Sequence, residues 1–297
     1  MTRQPLVARR AEELLGASVV ATAPIAGGDI ATATKLRLSS GKTALMKTLP
    51  HAPADFFERE AAGLRWLAEV EGGVHVPEVL GVDQECLVIA WVESGKNSTD
   101  AAANFGRALA TTHRSGAPCF GGGHDGFIGR LPMPNRTADS WAEFYAVRRV
   151  LPYLKLARDR GAVTEEQAAT VEAIVPKLAD LVPEEPPARL HGDLWNGNVL
   201  WGIEPTGPTG PGSGPGRVSV IDPAAYGGHR EVDLAMLSMF GLPHLPRVLD
   251  AYDEAWPLAD GWQERAALHQ LFPLLVHACL FGGGYGAKAA DSASRYL

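Results

Sequence analysis

Three polar residues in an ordered spacing stand out: Asp193, Asn198 five positions on, and Asp222 at the end of the apolar run Val218-Ser219-Val220-Ile221. Transfer of a phosphoryl group from a nucleotide to a hydroxyl asks for such a set. One carboxylate accepts the proton of the attacking hydroxyl, while an amide oxygen and a second carboxylate hold a divalent cation against the phosphates. Asp193 suits the first role as a catalytic base. Asn198 and Asp222 suit the second as ligands of Mg²⁺. Singly, each fragment is an ordinary tight turn or strand-end acid; the ordered set of three argues against that reading.

The order and spacing also match the protein-kinase pattern H-R-D-x-x-x-x-N followed by D-F-G. Gly192 stands in place of the Arg, and Pro223 follows Asp222 where the pattern has Phe. A phosphorylated activation loop would lack its usual arginine partner, which points to a constitutively active small-molecule kinase. Upstream, Ala44-Leu45-Met46-Lys47 resembles the strand whose lysine holds the α- and β-phosphates, and Glu60 on the next helix would fix that ammonium. Gly27 and Gly28 could bring backbone amides to the phosphates, although the full G-x-G-x-x-G is absent and a plain hairpin turn would look the same. The backbone of Trp91, Val92 and Glu93 is the expected adenine anchor. Trp195, inside the catalytic loop, offers an indole that could stack on a substrate sugar or close the loop against the large lobe. His191 and Asp233 are expected to brace that loop rather than touch ligand.

The elements that must position these residues fall into two halves. Strands are expected at 19–25, 31–38, 43–47, 76–82 and 86–92, with a helix at 55–70 between the third and fourth. Five strands and a helix make the small lobe of a kinase, and 95–99 is a plausible connecting segment. Beyond it the chain turns helical, at 99–113, 140–160, 164–181, 231–240, 243–256 and 261–281, with Thr164 a sensible N-cap three residues before Gln167. Residues 202–216, rich in Gly and Pro, read as a mobile hairpin tip that cannot hold a core. The glycines at 121–123 and 282–284 read as loop and helix-end residues without chemistry.

Composition bounds the function. The 297 residues suffice for two lobes, and 46% hydrophobic with 21% charged residues is ordinary for a soluble protein. A net charge of −7 without any basic tract argues against nucleic-acid and anionic-membrane partners. No apolar run approaches the length of a membrane span, and the first residues do not form a signal peptide. Cys86, Cys119 and Cys279, odd in number and far apart, read as reduced thiols in a cytoplasm.

Over nearly its whole length the chain resembles the fructosamine kinase (ketosamine-3-kinase) family, relatives of the aminoglycoside and choline kinases. The resemblance rests on 25–30 (I-A-G-G-D-I), 57–64 (F-E-R-E-A-A-G-L), 126–135 (G-F-I-G-R-L-P-M-P-N), 191–198 (H-G-D-L-W-N-G-N) and 221–231 (I-D-P-A-A-Y-G-G-H-R-E). The third and fourth stretches separate this family from aminoglycoside kinases. It implies an α+β, two-lobed protein-kinase-like fold: a five-stranded antiparallel sheet plus helix in a nucleotide-binding lobe, 1–95, and a mostly helical lobe, 96–297. It further implies ATP- and Mg²⁺-dependent phosphorylation of the 3-hydroxyl of a ketosamine, whose product falls apart and so deglycates the amine. The acceptor would be a small-molecule or protein-linked ketosamine, with 121–135 flanking it, and the enzyme a cytoplasmic monomer. Two other readings stay open: a kinase of the same fold for an aminoglycoside or choline, and a nucleotide-binding pseudokinase, against which the complete residue set argues.

Overall fold

The computed structural model describes residues 6–26, 30–203 and 216–297. Helix α1 (Leu6–Leu15) leads into β1 (Val19–Ile25), β2 (Thr32–Leu38) and β3 (Thr43–Thr48). Helix α2 (Phe56–Ala68) separates these from β4 (Val79–Asp83) and β5 (Cys86–Ala90). The five strands form one antiparallel sheet in the order β1-β2-β3-β5-β4. Alternation builds it: Leu36, Leu38, Ala44, Met46, Cys86 and Val88 face α1 across one side, as period-two side chains must.

The large lobe opens with α3 (Thr99–Arg114), started by the Ser98 side chain accepting from the Ala101 amide. A hairpin of β6 (Gly126–Ile128) and β7 (Leu131–Met133) comes after it, then α4 (Trp141–Phe144), a π-helical segment (Tyr145–Val150) and α5 (Leu151–Asp159). Helices α6 (Glu165–Ile174) and α7 (Leu178–Leu181) precede β8 (Ala188–Leu190). The pair β9 (Val199–Ile203) and β10 (Gly216–Val220) comes next, then β11 (Tyr226–Gly228), which pairs with β8. Helices α8 (Glu231–Leu237), α9 (Leu245–Ala255), α10 (Trp262–His269), α11 (Leu271–Phe281) and α12 (Tyr285–Ser294) complete the chain. Thr164 and Gln167 form the expected capping box of α6. The tip of the β9–β10 hairpin, expected to be mobile, lies outside the described residues.

The halves are joined by backbone as well as side chains. Val220 donates to the His75 carbonyl at 2.8 Å, while Gly95 donates to Trp201 at 2.8 Å and Ile203 to Glu93 at 3.2 Å. One apolar core runs through both, from Phe57, Leu64 and Leu67 of α2 and Ile89 of β5 to Phe105, Leu109, Val218, Leu234 and Val248.

Several expectations change. Strand β4 starts at Val79 rather than 76, because Pro77 offers no N–H to a ladder. The helix expected at 140–160 carries a π turn ahead of Pro152, where Leu151 donates to Ala146, five residues back; proline cannot continue the four-residue pattern. The helix expected at 261–281 breaks at Gln270. Pro273 takes away the N–H that would reach the His269 carbonyl, and the Tyr145 hydroxyl serves that carbonyl and Leu268 instead, at 3.1 and 2.8 Å. Helices α1 and α12 lay outside the expected elements.

Because the core is continuous, urea unfolding is expected to give one transition, with far-ultraviolet dichroism and tryptophan fluorescence coincident. Phe57→Ala, at a fully buried position, should lower stability by about 3–5 kcal/mol without splitting it. Two separated transitions would show that the lobes hold independent cores.

Candidate active site

Strand β3 carries Lys47 to the edge of a cleft, and α2 presents Glu60 opposite. The ammonium lies 2.8 Å from both Glu60 oxygens and 3.0 Å from Asp222 Oδ1. Burial works against the Lys47 charge, but Glu60 and then Asp222 outweigh it and hold the group above its ordinary pKa. Burial pushes the Glu60 carboxyl up, Lys47 pulls it down and Asp222 adds repulsion, with the balance at about 7. With two carboxylates facing one ammonium, Lys47 is the member that stays charged.

The catalytic loop is held from beneath. The buried Asp233 carboxylate accepts from the amides of His191 and Gly192 at 2.8 and 2.9 Å, and its Oδ2 lies 3.1 Å from His113 Nε2. His113 in turn meets the Tyr252 hydroxyl at 2.9 Å. His191 donates through Nε2 to the Ile221 carbonyl at 2.9 Å and accepts the Asp193 amide at Nδ1. That pattern requires the neutral ring, and burial holds its pKa down. Gly192 adopts φ +80°, and a Cβ there would strike the Ala224 carbonyl. The position therefore excludes the Arg of the kinase pattern on steric grounds.

Asn198 ends a short 3₁₀ turn, and its side-chain amide donates to the Asp193 carbonyl at 2.9 Å and to Oδ2 at 3.0 Å. With its NH₂ committed, its remaining side-chain group is a carbonyl oxygen. Ile221 donates to the Asn198 carbonyl at 3.0 Å, which seats Asp222 beside the loop. Asp222 itself sits at φ +56° immediately before Pro223, a conformation that costs of order 1–3 kcal/mol and is kept where the surroundings impose it. Oxygen donors from an amide and a carboxylate suit a hard cation such as Mg²⁺. Burial pushes the Asp193 carboxyl up, Asp222 adds repulsion, and the Asn198 hydrogen bond opposes them only in part, leaving it at about 7.

These groups open onto one cavity of about 1250 Å³, lined by Lys47, Glu60, Asp193, Trp195, Asn198 and Asp222. Trp91 and Val92 line it too, whereas Glu93 stands aside. The Glu93 carbonyl accepts from Ile203 and its carboxylate from the Trp91 indole. Gly27 and Gly28 lie outside the described residues, although Ile25, Ala26 and Ile30 on either side line the cavity. Trp195 folds back over its own loop, and a Cβ at Gly197 would run into the indole.

Gly121–Gly123, given no chemistry of their own but part of the loop expected to flank the acceptor, face the cavity, and Gly121 pairs with Gly227 in both directions, at 2.8 and 2.9 Å. Their loop is fastened by the buried Arg149 of the π segment, which reaches Pro134 O at 2.7 Å and Asn135 Oδ1 at 2.6 Å while lying over the Tyr226 ring. Val276, His277, Leu280 and Phe281 of α11 also face in. That helix is apolar on all sides, so only His277 marked a special face.

A five-stranded antiparallel sheet over a helical lobe, with this residue set in the cleft, defines the protein-kinase-like phosphotransferase fold. An aminoglycoside phosphotransferase variant in ternary complex with ADP and hygromycin B shares it, at a TM-score of 0.63, 16% identity and coverage of 97% and 98% of the two chains. Residues 4–297 match the family model described as fructosamine kinase, and the chain belongs to that family. The crystal structure of a candidate fructosamine-3-kinase from Thermobifida fusca YX-ER1 superposes with a TM-score of 0.89, at 46% identity over 98% of each chain. A candidate ketoamine kinase of Thermus thermophilus is 35% identical over 267 residues, 88% of each protein.

Replacing Asp233 with Asn is expected to cost about 3 kcal/mol, since two amides lose a charged acceptor. Burial alone would raise the Asp233 pKa, but His113 and then His191 hold it below its ordinary value. Its contribution is therefore complete above the unfolded pKa, about 3.9, and is lost as pH falls through the lower folded value. Denaturant titrations should show wild-type stability declining below about pH 4, and a shallower decline for Asp233→Asn.

Proposed function

We propose that this protein transfers the γ-phosphoryl group of ATP to the 3-hydroxyl of a ketosamine, free or protein-linked, and so initiates deglycation. The observation that carries the reading is Asp193, hydrogen-bonded by Asn198, in one cavity with the Lys47–Glu60–Asp222 cluster. The family membership and the names of its relatives support the acceptor class.

Asp193 would take the proton of the attacking hydroxyl, and a carboxyl near pH 7 is well matched to that exchange. Lys47, fixed by Glu60, would hold the α- and β-phosphates. Asn198 and Asp222 would hold Mg²⁺, which when bound neutralises the phosphate charge. Trp91 and Val92 would receive the adenine, with Gly27 and Gly28 near the phosphates, and Trp195 would stack on the sugar. Positioning supplies most of the rate, because phosphoryl transfer asks little covalent help of the protein. The lobes would divide at residues 95 and 96, where the Gly95 amide is tied to Trp201. Three unpaired cysteines and a charge of −7 support a cytoplasmic enzyme without nucleic-acid partners, and we place it as a monomer. No helix among the described residues is long and apolar enough to cross a membrane.

An ADP-coupled assay across ribulosamines, fructosamines, choline and kanamycin tests the acceptor class. Turnover of the ketosamines is expected, and activity confined to the last two would overturn it. Asp193→Asn should lower kcat by about 10²–10⁴-fold with nucleotide affinity little changed; near-normal turnover would remove Asp193 as the base. Gly197→Ala, by displacing the indole, should raise the acceptor KM while leaving that for ATP in place.

A further inference from the structure

An aromatic row leads outward from the catalytic loop. The Trp195 ring meets Phe240 edge-on with centroids 5.6 Å apart, Phe240 meets His277 at 5.2 Å, and His277 meets Phe281 at 5.6 Å and Tyr285 at 5.1 Å. Phe240 and Phe281 are 40% and 53% exposed, two of the few large apolar side chains left open to solvent. Trp195, His277 and Phe281, together with Val276 and Leu280, line the same cavity as Asp193. One end of the row thus lies two residues from the proposed base, and the other is open to solvent.

Core packing does not account for it, because two phenyl rings this exposed forgo much of the gain of burial. Exposed apolar surface continuous with a cavity is characteristic of ligand contact. The nucleotide as proposed above would use other lining residues, among them Ile25, Ala33 and Leu45 of the sheet with Ile89 and Trp91. No Lys, Arg, Asp or Glu stands between Trp195 and Phe281 in the row; a neighbouring cation, Lys288, lies over the Tyr285 ring at its outer end. A sugar carries hydroxyls around most of its surface and occupies one ring face, that of Trp195. The portion of the acceptor lying along Phe240, His277 and Phe281 meets mostly ring surface, which suits an apolar chain.

We infer that the row is a subsite for the amine-side arm of the acceptor, selecting ketosamines whose nitrogen bears an apolar alkyl or aryl chain of about four carbons or more. The inference rests on the acceptor class proposed above. The secondary ammonium then lies beside aromatic faces that attract a cation, and the arm exchanges water for ring surface. A glycated lysine side chain, with its tetramethylene stem, meets the requirement, and its peptide end reaches solvent at Phe281. The adduct of a short amine leaves the row uncovered.

The test uses the full chain and fructosamine adducts of methylamine, butylamine and hexylamine in the ADP-coupled assay. Full burial of a methylene is worth about fourfold in binding. A wall covering one side of the arm gives about twofold for each, so hexyl over methyl kcat/KM should be about thirtyfold. In Phe240→Ala and Phe281→Ala, the hexyl-to-methyl ratio should fall below about fivefold. Taking the ratio within each variant cancels any general loss of active enzyme, and both positions are exposed enough to be truncated without opening the core. A wild-type ratio near one, or a large ratio left intact in both variants, overturns the subsite while leaving the ketosamine reading in place. No transfer to any adduct overturns that reading and the subsite with it.

Discussion

A buried carboxylate holding backbone is the constraint on which the site depends. Asp233 is fully enclosed on α8, and its two oxygens capture consecutive amides, those of His191 and Gly192. A charge in that position is tolerable only with its hydrogen bonds complete, and His113, supported by Tyr252, completes them. The catalytic loop is thereby referenced to the helical core rather than to solvent. His191 passes the reference on through the Ile221 carbonyl to the residues after β10, where Asp222 stands. Asp193 and Asn198 share one loop and Asp222 comes from another segment, yet a single hydrogen-bonded chain connects the two.

Above this support, charge is arranged to be unequal. Asp193, Asp222 and Glu60 crowd one region around Lys47, where burial and then the Asp222 charge raise the carboxyls of Asp193 and Glu60 while the ammonium is held charged. Such a site is poorly balanced when empty and well suited to receiving positive charge. A divalent cation would relieve the repulsion between Asp193 and Asp222 as it bound, and the same imbalance that unsettles the free protein favours the loaded one.

How much the sequence made legible depends on how local each signal is. Asp193 and Asn198 lie on one short loop, and Lys47 and Glu60 lie on a strand and the next helix, so spacing alone brings them together. The Tyr145 hydroxyl that serves the carbonyls at the Gln270 break could not be seen that way, although Pro273 marks the break itself. Nor could the inward face of α11, a helix apolar all round. Glu93 is not among the cavity-lining residues and its carbonyl pairs with Ile203, a partnership no local pattern records. Helix α12, made largely of Ala, Ser and Gly, lacks the large apolar side chains by which the other helices are read.

The two backbone attachments between the lobes bear on how the cleft can move. His75 is joined to the Ser219–Val220 strand at one point, and Glu93 and Gly95 to the Trp201–Ile203 strand at another. Side chains add to them: Thr112 Oγ1 accepts from the Val74 amide at 2.9 Å, and Arg189 reaches the Trp66 carbonyl at 2.5 Å and Glu69 at 3.2 Å. Lighter ties join the lobes elsewhere, with Arg130 on the Ile30 carbonyl at 3.4 Å and the rings of Phe127 and Phe56 at 5.1 Å. A cleft fastened so unevenly would part first where its fastenings are weakest, like a seam that opens at its loosest stitch.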